Sequence, residues 1–231
     1  ALNQEYLDYF KSNGMQYVSS YETDFIRSSF QYLHQAHQLN ILDMGCGPGR
    51  ILKILSELKN PRLFGVDISE EMIKAALDNL NNIGISAEII QNNFSNGLPF
   101  DNNYFDLITA IRCIKYNANW KDILFNVHSK LKEGGIFTFT HTNKYFAGNF
   151  LKFLSNNAKE HPQSKKRIQD ALQELGFEII TFDERFIIPM AFYRMCRFEQ
   201  NTNVLLNIEK ILGRLPLINQ MSQFFYIICR K

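Results

Sequence analysis

Cysteine is scarce and scattered in this 231-residue chain: Cys46, Cys113, Cys196 and Cys229 form no CxxC pair and have no histidine at ligand spacing. That pattern excludes a zinc knuckle and a disulfide framework, so no metal is expected and the thiols read as reduced, as in a cytoplasmic protein. An excess of charge is lacking as well. With 25 Lys and Arg against 23 Asp and Glu, the formal charge is only +2, which gives a nucleic-acid partner no support. No run approaches the ~20 apolar residues of a membrane span. The opening Ala1-Leu2-Asn3-Gln4-Glu5 has no basic flank followed by an apolar core, so a signal peptide and a membrane partner are not expected. Repeats and low-complexity tracts are absent too.

What the chain does have is alternation. Leu39–Met44 is an apolar run ending in glycines, and Arg50–Leu58 follows with apolar residues at helical spacing. The next strand is 62–66. Ser69 then reads as a helix N-cap, with Glu70 and Glu71 in the first turn and a stop near Gly84. Further strands are expected at 87–91, 105–110, 135–140, 177–182 and 224–229. Helices are expected at 120–131, closed by Gly134-Gly135, and at 162–175. Strands alternating with helices predict an α/β protein with a doubly wound, seven-stranded, mostly parallel sheet. The expected core is 39–183 with 223–231. Residues 1–38 then form a helical lid rich in aromatics, and 184–222 a helical insertion with several arginines; both are expected over the mouth of the site.

The sharpest local signal is Asp43-Met44-Gly45-Cys46-Gly47-Pro48-Gly49, between a strand and a helix, with Asp67 ending the second strand. Glycines let the backbone bend and approach a ligand closely, and a carboxylate at that separation can accept from both ribose hydroxyls. The third glycine comes one position earlier than GxGxxG requires, and no lysine follows as in a phosphate loop. Pro48 removes an N–H that a phosphate would use. The spacing favours a nucleoside without phosphates.

With Gly65-Val66-Asp67-Ile68-Ser69, Asn92-Asn93-Phe94, Leu98-Pro99-Phe100, Phe105-Asp106-Leu107-Ile108 and Leu131-Lys132-Glu133-Gly134-Gly135 following in order, residues 39–141 resemble the class I, Rossmann-like S-adenosylmethionine-dependent methyltransferases. Within that class the resemblance is to the branch acting on small molecules. It implies S-adenosyl-L-methionine as cofactor and S-adenosyl-L-homocysteine as product. It also implies a cofactor site in which Asp43, Gly45, Gly47 and Gly49 line the methionine and ribose portion and Asp67 grips the ribose. Ile68 and Met72 would cover the adenine, Asn93 would meet its amino group, Phe94 would pack beside it, and Ala110 would offer its backbone to the methionine amine. The family usually carries aspartate where Asn93 stands; an amide carbonyl can still accept from the amine.

Methyl transfer from a sulfonium needs alignment and exclusion of water more than proton transfer. An acceptor that must lose a proton would use a base, and His141, at the end of the fifth expected strand, is the candidate, against the alternative of a hydrogen-bonded core histidine. Arg112, just after the fourth, is the candidate clamp for an acidic acceptor. Tyr17 and Tyr21 are the lid residues expected to touch ligand, with Tyr6 and Phe10 as packing. The expected function is methyl transfer to a small acceptor through O, N or C, by a monomer or homodimer. A methyltransferase acting on RNA or protein, and a non-catalytic cofactor-binding protein, are the alternatives. The motif of the amino-group-methylating branch is missing, since Ala110-Ile111-Arg112-Cys113 stands there.

Overall fold

A computed structural model describes residues 10–34, 38–146, 148–149 and 160–231. Tyr6 lies outside the described residues. Seven strands form one sheet: β1 (Leu39–Met44), β2 (Pro61–Asp67), β3 (Ala87–Gln91), β4 (Phe105–Ala110), β5 (Leu131–Thr142), β6 (Glu178–Arg185) and β7 (Phe224–Arg230), in the order β3-β2-β1-β4-β5-β7-β6. Only β7 runs against its neighbours β5 and β6, so the sheet is mostly parallel, as the alternation predicts. Strand order reverses between β1 and β4, where the strands diverge to connections on opposite faces and a crevice opens at their carboxyl ends.

Alternate side chains on each strand feed two cores, one per face. On β1, Leu42 and Met44 join a cluster beneath the helices α4 (Trp120–Lys130) and α5 (Lys165–Glu174). Leu39 and Ile41 join the cluster on the opposite face, with Met15, Val18 and Ile26 of α1 (Asn13–Ser29) and Ile51 and Leu52 of α2 (Arg50–Leu55). Between β2 and β3 runs α3 (Glu70–Asn81), whose N-cap Ser69 accepts from the Met72 N–H. Before β7 come α6 (Met190–Met195), α7 (Glu199–Gly213) and α8 (Pro216–Asn219).

Three sequence expectations shift. The expected 120–131 helix ends at Lys130 because Leu131 is already extended and begins β5. Gly134 and Gly135 bend the start of that strand and do not close the helix; a Cβ on Gly135 would sit 2.8 Å from the Lys132 carbonyl. The expected 162–175 helix begins only at Lys165, where the Ser164 hydroxyl caps the Arg167 N–H, because Gln163 is drawn into a bridge with Asn143. The helix after the glycines stops at Leu55, its final turn tightening to a Leu58 N–H to Leu55 carbonyl bond.

Candidate active site

The turn after β1 is built from two backbone N–H groups, Gly45 and Cys46, both donating to the Val66 carbonyl at 2.8 and 3.1 Å. This pulls the chain sharply over the end of β2 and requires left-handed backbone at Gly45 (φ 66°) and Gly47 (φ 50°). A Cβ on Gly45 would strike the Cys113 Cβ at 2.7 Å, whereas one on Gly47 would meet nothing within 4 Å. Gly45 therefore serves the packing of the turn, and Gly47 leaves open space above it. Asp67 fixes the arrangement: its carboxylate accepts from the Gly47 N–H at 2.8 Å and from the Ser69 N–H at 2.9 Å.

Above this turn lies a cavity of about 610 Å³. Of the residues that the resemblance assigns to the cofactor, Gly45, Gly47, Asp67, Ile68, Met72, Asn93 and Phe94 line it. Asn93 also caps the short turn after β3, its Oδ1 accepting from the Ser95 N–H at 3.1 Å. Three of the expected residues do not line the cavity. Asp43 is buried beneath it, accepting from the Thr109 hydroxyl at 2.7 Å; burial pushes its carboxyl up to about 7. Gly49 starts α2 and faces Leu80 of α3, so it serves helix packing. Ala110 is fully buried; the following Ile111, Arg112 and Cys113 reach the cavity.

The rest of the wall comes from Phe10, Cys46, Arg50, Ile51, Asn92 and Ser95, and from the segment after β4, including Arg112, Lys115, Tyr116 and Asn117. Arg112 takes a left-handed conformation (φ 63°), unusual for a side chain of its kind. Its N–H donates to the Thr140 hydroxyl at 2.7 Å, and its Nε donates to Glu22 at 2.5 Å. Arg50 donates to the other oxygen of Glu22 at 2.9 Å, and Tyr226 approaches at 3.3 Å. Glu22 is completely buried. Burial works to raise its pKa, but Arg112 and Arg50 outweigh it and hold the carboxyl below its ordinary value. The guanidinium of Arg112 also lies 5.4 Å from the Phe10 ring centre and 5.9 Å from that of Phe224. Arg112 thus lines the cavity as one arm of a buried Arg–Glu–Arg tie, a different arrangement from the expected clamp for an acidic acceptor.

His141 is corrected more fully. It is 1% exposed and does not line the cavity. Its parity on β5 matches Phe137 and Phe139 in the core beneath α4 and α5, and its ring meets Trp120 edge-on at 5.8 Å. Burial pushes its pKa down to about 4, so the structure holds it as a neutral core histidine beside Trp120, away from the cavity wall. Tyr17 and Tyr21 do not line the cavity either. Tyr21 donates to Asp183 at 2.5 Å and stacks edge-on against Phe186 and Tyr226, while Tyr17 is exposed, near Arg185 and Glu209. Among the described residues, none of 184–222 lines the cavity, and no metal-binding cluster occurs. Phe10, expected as packing, does reach it.

Sequence reasoning also missed Glu22 and Arg50. The signal for Glu22 was present: Met15, Val18, Phe25 and Ile26 form an apolar stripe at helical spacing, and Glu22 sits on it. A carboxylate on a buried stripe requires a cationic partner.

A methyltransferase-domain family matches residues 41–135, the segment holding most of this cavity. The matched segment and the sheet order are similar to those of the class I S-adenosylmethionine-dependent methyltransferases. The sequence is 32% identical over 166 residues to an uncharacterized protein of Methanocaldococcus jannaschii, covering 61% of this chain and 62% of that one. It is 25% identical over 171 residues to a ubiquinone/menaquinone biosynthesis C-methyltransferase of Pseudomonas fluorescens, covering 62% and 66%. These alignments span less than two thirds of the relatives' own length. An S-adenosylmethionine-dependent methyltransferase structure from Mesorhizobium loti superposes with a TM-score of 0.64 at 19% identity, covering 89% of this chain and 96% of that one.

Proposed function

We propose that the protein transfers the methyl group of S-adenosylmethionine to a small, largely apolar acceptor. The observation that carries this is the open cavity above Gly47, with the Asp67 carboxylate at its floor and Ile68, Met72 and Phe94 on its wall. A nucleoside fits such a site: a carboxylate for ribose hydroxyls, apolar side chains for a ring, and backbone unobstructed by a Cβ. When bound, S-adenosylmethionine supplies a methyl carbon activated by the sulfonium.

The chain's own residues then position and desolvate. Phe10, Ile111 and Tyr116 supply an apolar wall on the acceptor side. Arg50 and Arg112 share Glu22, and Lys115 donates to Glu160 at 2.6 Å, so each cation on this wall is already held by a carboxylate, which favours an uncharged acceptor over an anion. The C-methyltransferase relative, named for quinone biosynthesis, agrees with an apolar acceptor. Among the described lining residues the Cys46 and Cys113 thiols are pushed up by burial and the Asp67 carboxylate accepts from two N–H groups. The acceptor accordingly enters as a nucleophile in its own right, and rate comes from alignment and exclusion of water.

Calorimetric titration with S-adenosylhomocysteine tests the cofactor half. Wild type is expected to bind, and Asp67→Ala to lose roughly 10- to 100-fold in affinity, the worth of hydrogen bonds to a charged group. No binding by folded wild type rejects the reading. Labelled methyl transfer into extracts then tests the acceptor half: incorporation into low-mass apolar products supports it. Label in RNA or protein, or binding without turnover, overturns it.

A further inference from the structure

The segment before β7 combines exposed apolar side chains with an excess of cations. On α7 only Thr202 is buried. Val204, Ile208 and Ile211, with Leu215 just beyond, recur at spacings of four, three and four and are all exposed, so they form one stripe along a helix face. Beyond the ends of α7, Met195 on α6, Phe198, and Leu217 on α8 are exposed as well, at 74%, 71% and 79%. Exposed apolar side chains in such density mark an interaction surface.

The charges around it are one-sided. Arg194, Arg197, Lys210 and Arg214 are exposed against Glu199. The other acid, Glu209, is turned inward, accepting from the Ile187 and Ile188 N–H groups at 2.6 and 3.0 Å. A segment with this excess stands out in a chain whose whole formal charge is +2. A second copy docking through a two-fold axis would bring the same cations against each other. An anionic surface would complement them.

We propose that this face lies on an anionic lipid bilayer, the apolar stripe entering the headgroup boundary and the arginines and lysine contacting lipid phosphates. Among the described residues no helix is long and apolar enough to cross a membrane, and lying on one requires only such an amphipathic, basic surface. The surface is fixed to the cavity's own wall. Gly14 N–H donates to the Cys196 carbonyl at 3.1 Å, and Ser12 Oγ donates to the Tyr193 carbonyl at 3.1 Å, a short distance along the chain from Phe10. Docking therefore sets the cavity beside the bilayer, where apolar compounds concentrate. The proposal stands whether or not methyl transfer is the reaction.

Co-sedimentation of the full chain with vesicles tests it. Binding is expected to vesicles of phosphatidylcholine mixed with phosphatidylglycerol, to be at least about tenfold weaker to phosphatidylcholine alone, and to fall as salt is raised. Arg197→Glu with Arg214→Glu is expected to weaken binding to mixed vesicles at least about tenfold, since each cation near such a surface is worth roughly fivefold. Ile211→Glu with Leu217→Glu is expected to weaken it comparably, and Lys166→Glu, on α5, to leave it unchanged. Circular dichroism checks folding; if the apolar double variant does not fold, Leu217→Glu alone carries that arm. Folded wild type that ignores mixed vesicles overturns the proposal, as does binding that survives both double variants. A dimer that Leu217→Glu dissociates, with vesicles ignored, assigns the face to a second copy and equally overturns it.

Discussion

β4 and β5 lie side by side, run in the same direction and end at the same edge of the sheet, yet the residues that follow them meet opposite fates. After Ala110 the chain leaves the sheet at once, and left-handed Arg112 brings Ile111, Cys113, Lys115, Tyr116 and Asn117 to the cavity wall. β5 continues to Thr142, held by β7 through the pairs His141 with Phe225 and Thr142 with Phe224, and His141 is sealed under Trp120. A strand end faces the crevice only where strand order reverses and the neighbour stops short. In this sheet that is the β1/β4 junction, and pairing with the antiparallel β7 keeps the end of β5 out of the cavity wall.

The strongest way to break this contrast is at the tie that holds the β4 end in place. Glu22→Ala would leave Arg50 and Arg112, each largely buried, without their shared carboxylate. Removing one partner of a buried ion pair costs about 3 kcal/mol or more, so urea unfolding is expected to shift to markedly lower denaturant. Glu22→Gln keeps the shape and is expected to lose less. Because the folded Glu22 carboxyl titrates below its ordinary value, its contribution is present above that value and is lost as pH falls through the folded one. The acid limb of the wild-type stability curve is therefore expected to be steeper than that of Glu22→Gln. Equal curves would mean that the tie is ornamental and that Arg112 is held by its backbone alone.

The β5 side gives the next largest effect, and its sign is informative. His141 titrates at about 4 in the folded protein against an ordinary value of 6.5, so the unfolded chain binds its proton first as pH falls. The contribution is present above about 6.5 and is lost on the way down to about 4, amounting to about 2 kcal/mol between pH ~7 and pH ~5. His141→Gln is expected to flatten that part of the stability curve while leaving methyl transfer, once an acceptor is known, within about twofold of wild type. A collapse of turnover with stability intact would return His141 to the mechanism and undo the comparison.

The uneven legibility of the sequence has the same origin. Strand and helix order, the glycine turn and Asp67 were readable because they rest on local physics: periodicity, left-handed backbone, an acid at a strand end. What failed depended on which strands end together. His141 looked like a base because a strand end in an α/β sheet usually faces ligand, and nothing local announced that β7 would pair with β5 and carry it into the core. Tyr17 and Tyr21 read, from sequence alone, as lid residues that touch ligand. Tyr21 instead spends its hydroxyl on Asp183, 162 residues away, a partner that no local window reveals. Glu22 was the avoidable miss, since its place on an apolar stripe was already an anomaly.

The smallest predicted effect sharpens the contrast from the same helix. Near the other end of α1, Arg27 holds Glu57 in a two-pronged pair, at 2.8 and 2.7 Å, with geometry as good as anything around Glu22. Both side chains are close to half exposed. Water solvates each charge well when the pair is broken, and ordering two long side chains offsets most of the attraction. Arg27→Ala is accordingly expected to leave the urea midpoint where it was, at low and high salt alike. Two acid–arginine contacts on one helix would then differ in consequence because only one has been removed from solvent. A large loss for Arg27→Ala would show instead that α1 is anchored from its exposed end, and that the buried tie follows from that anchoring and does not cause it.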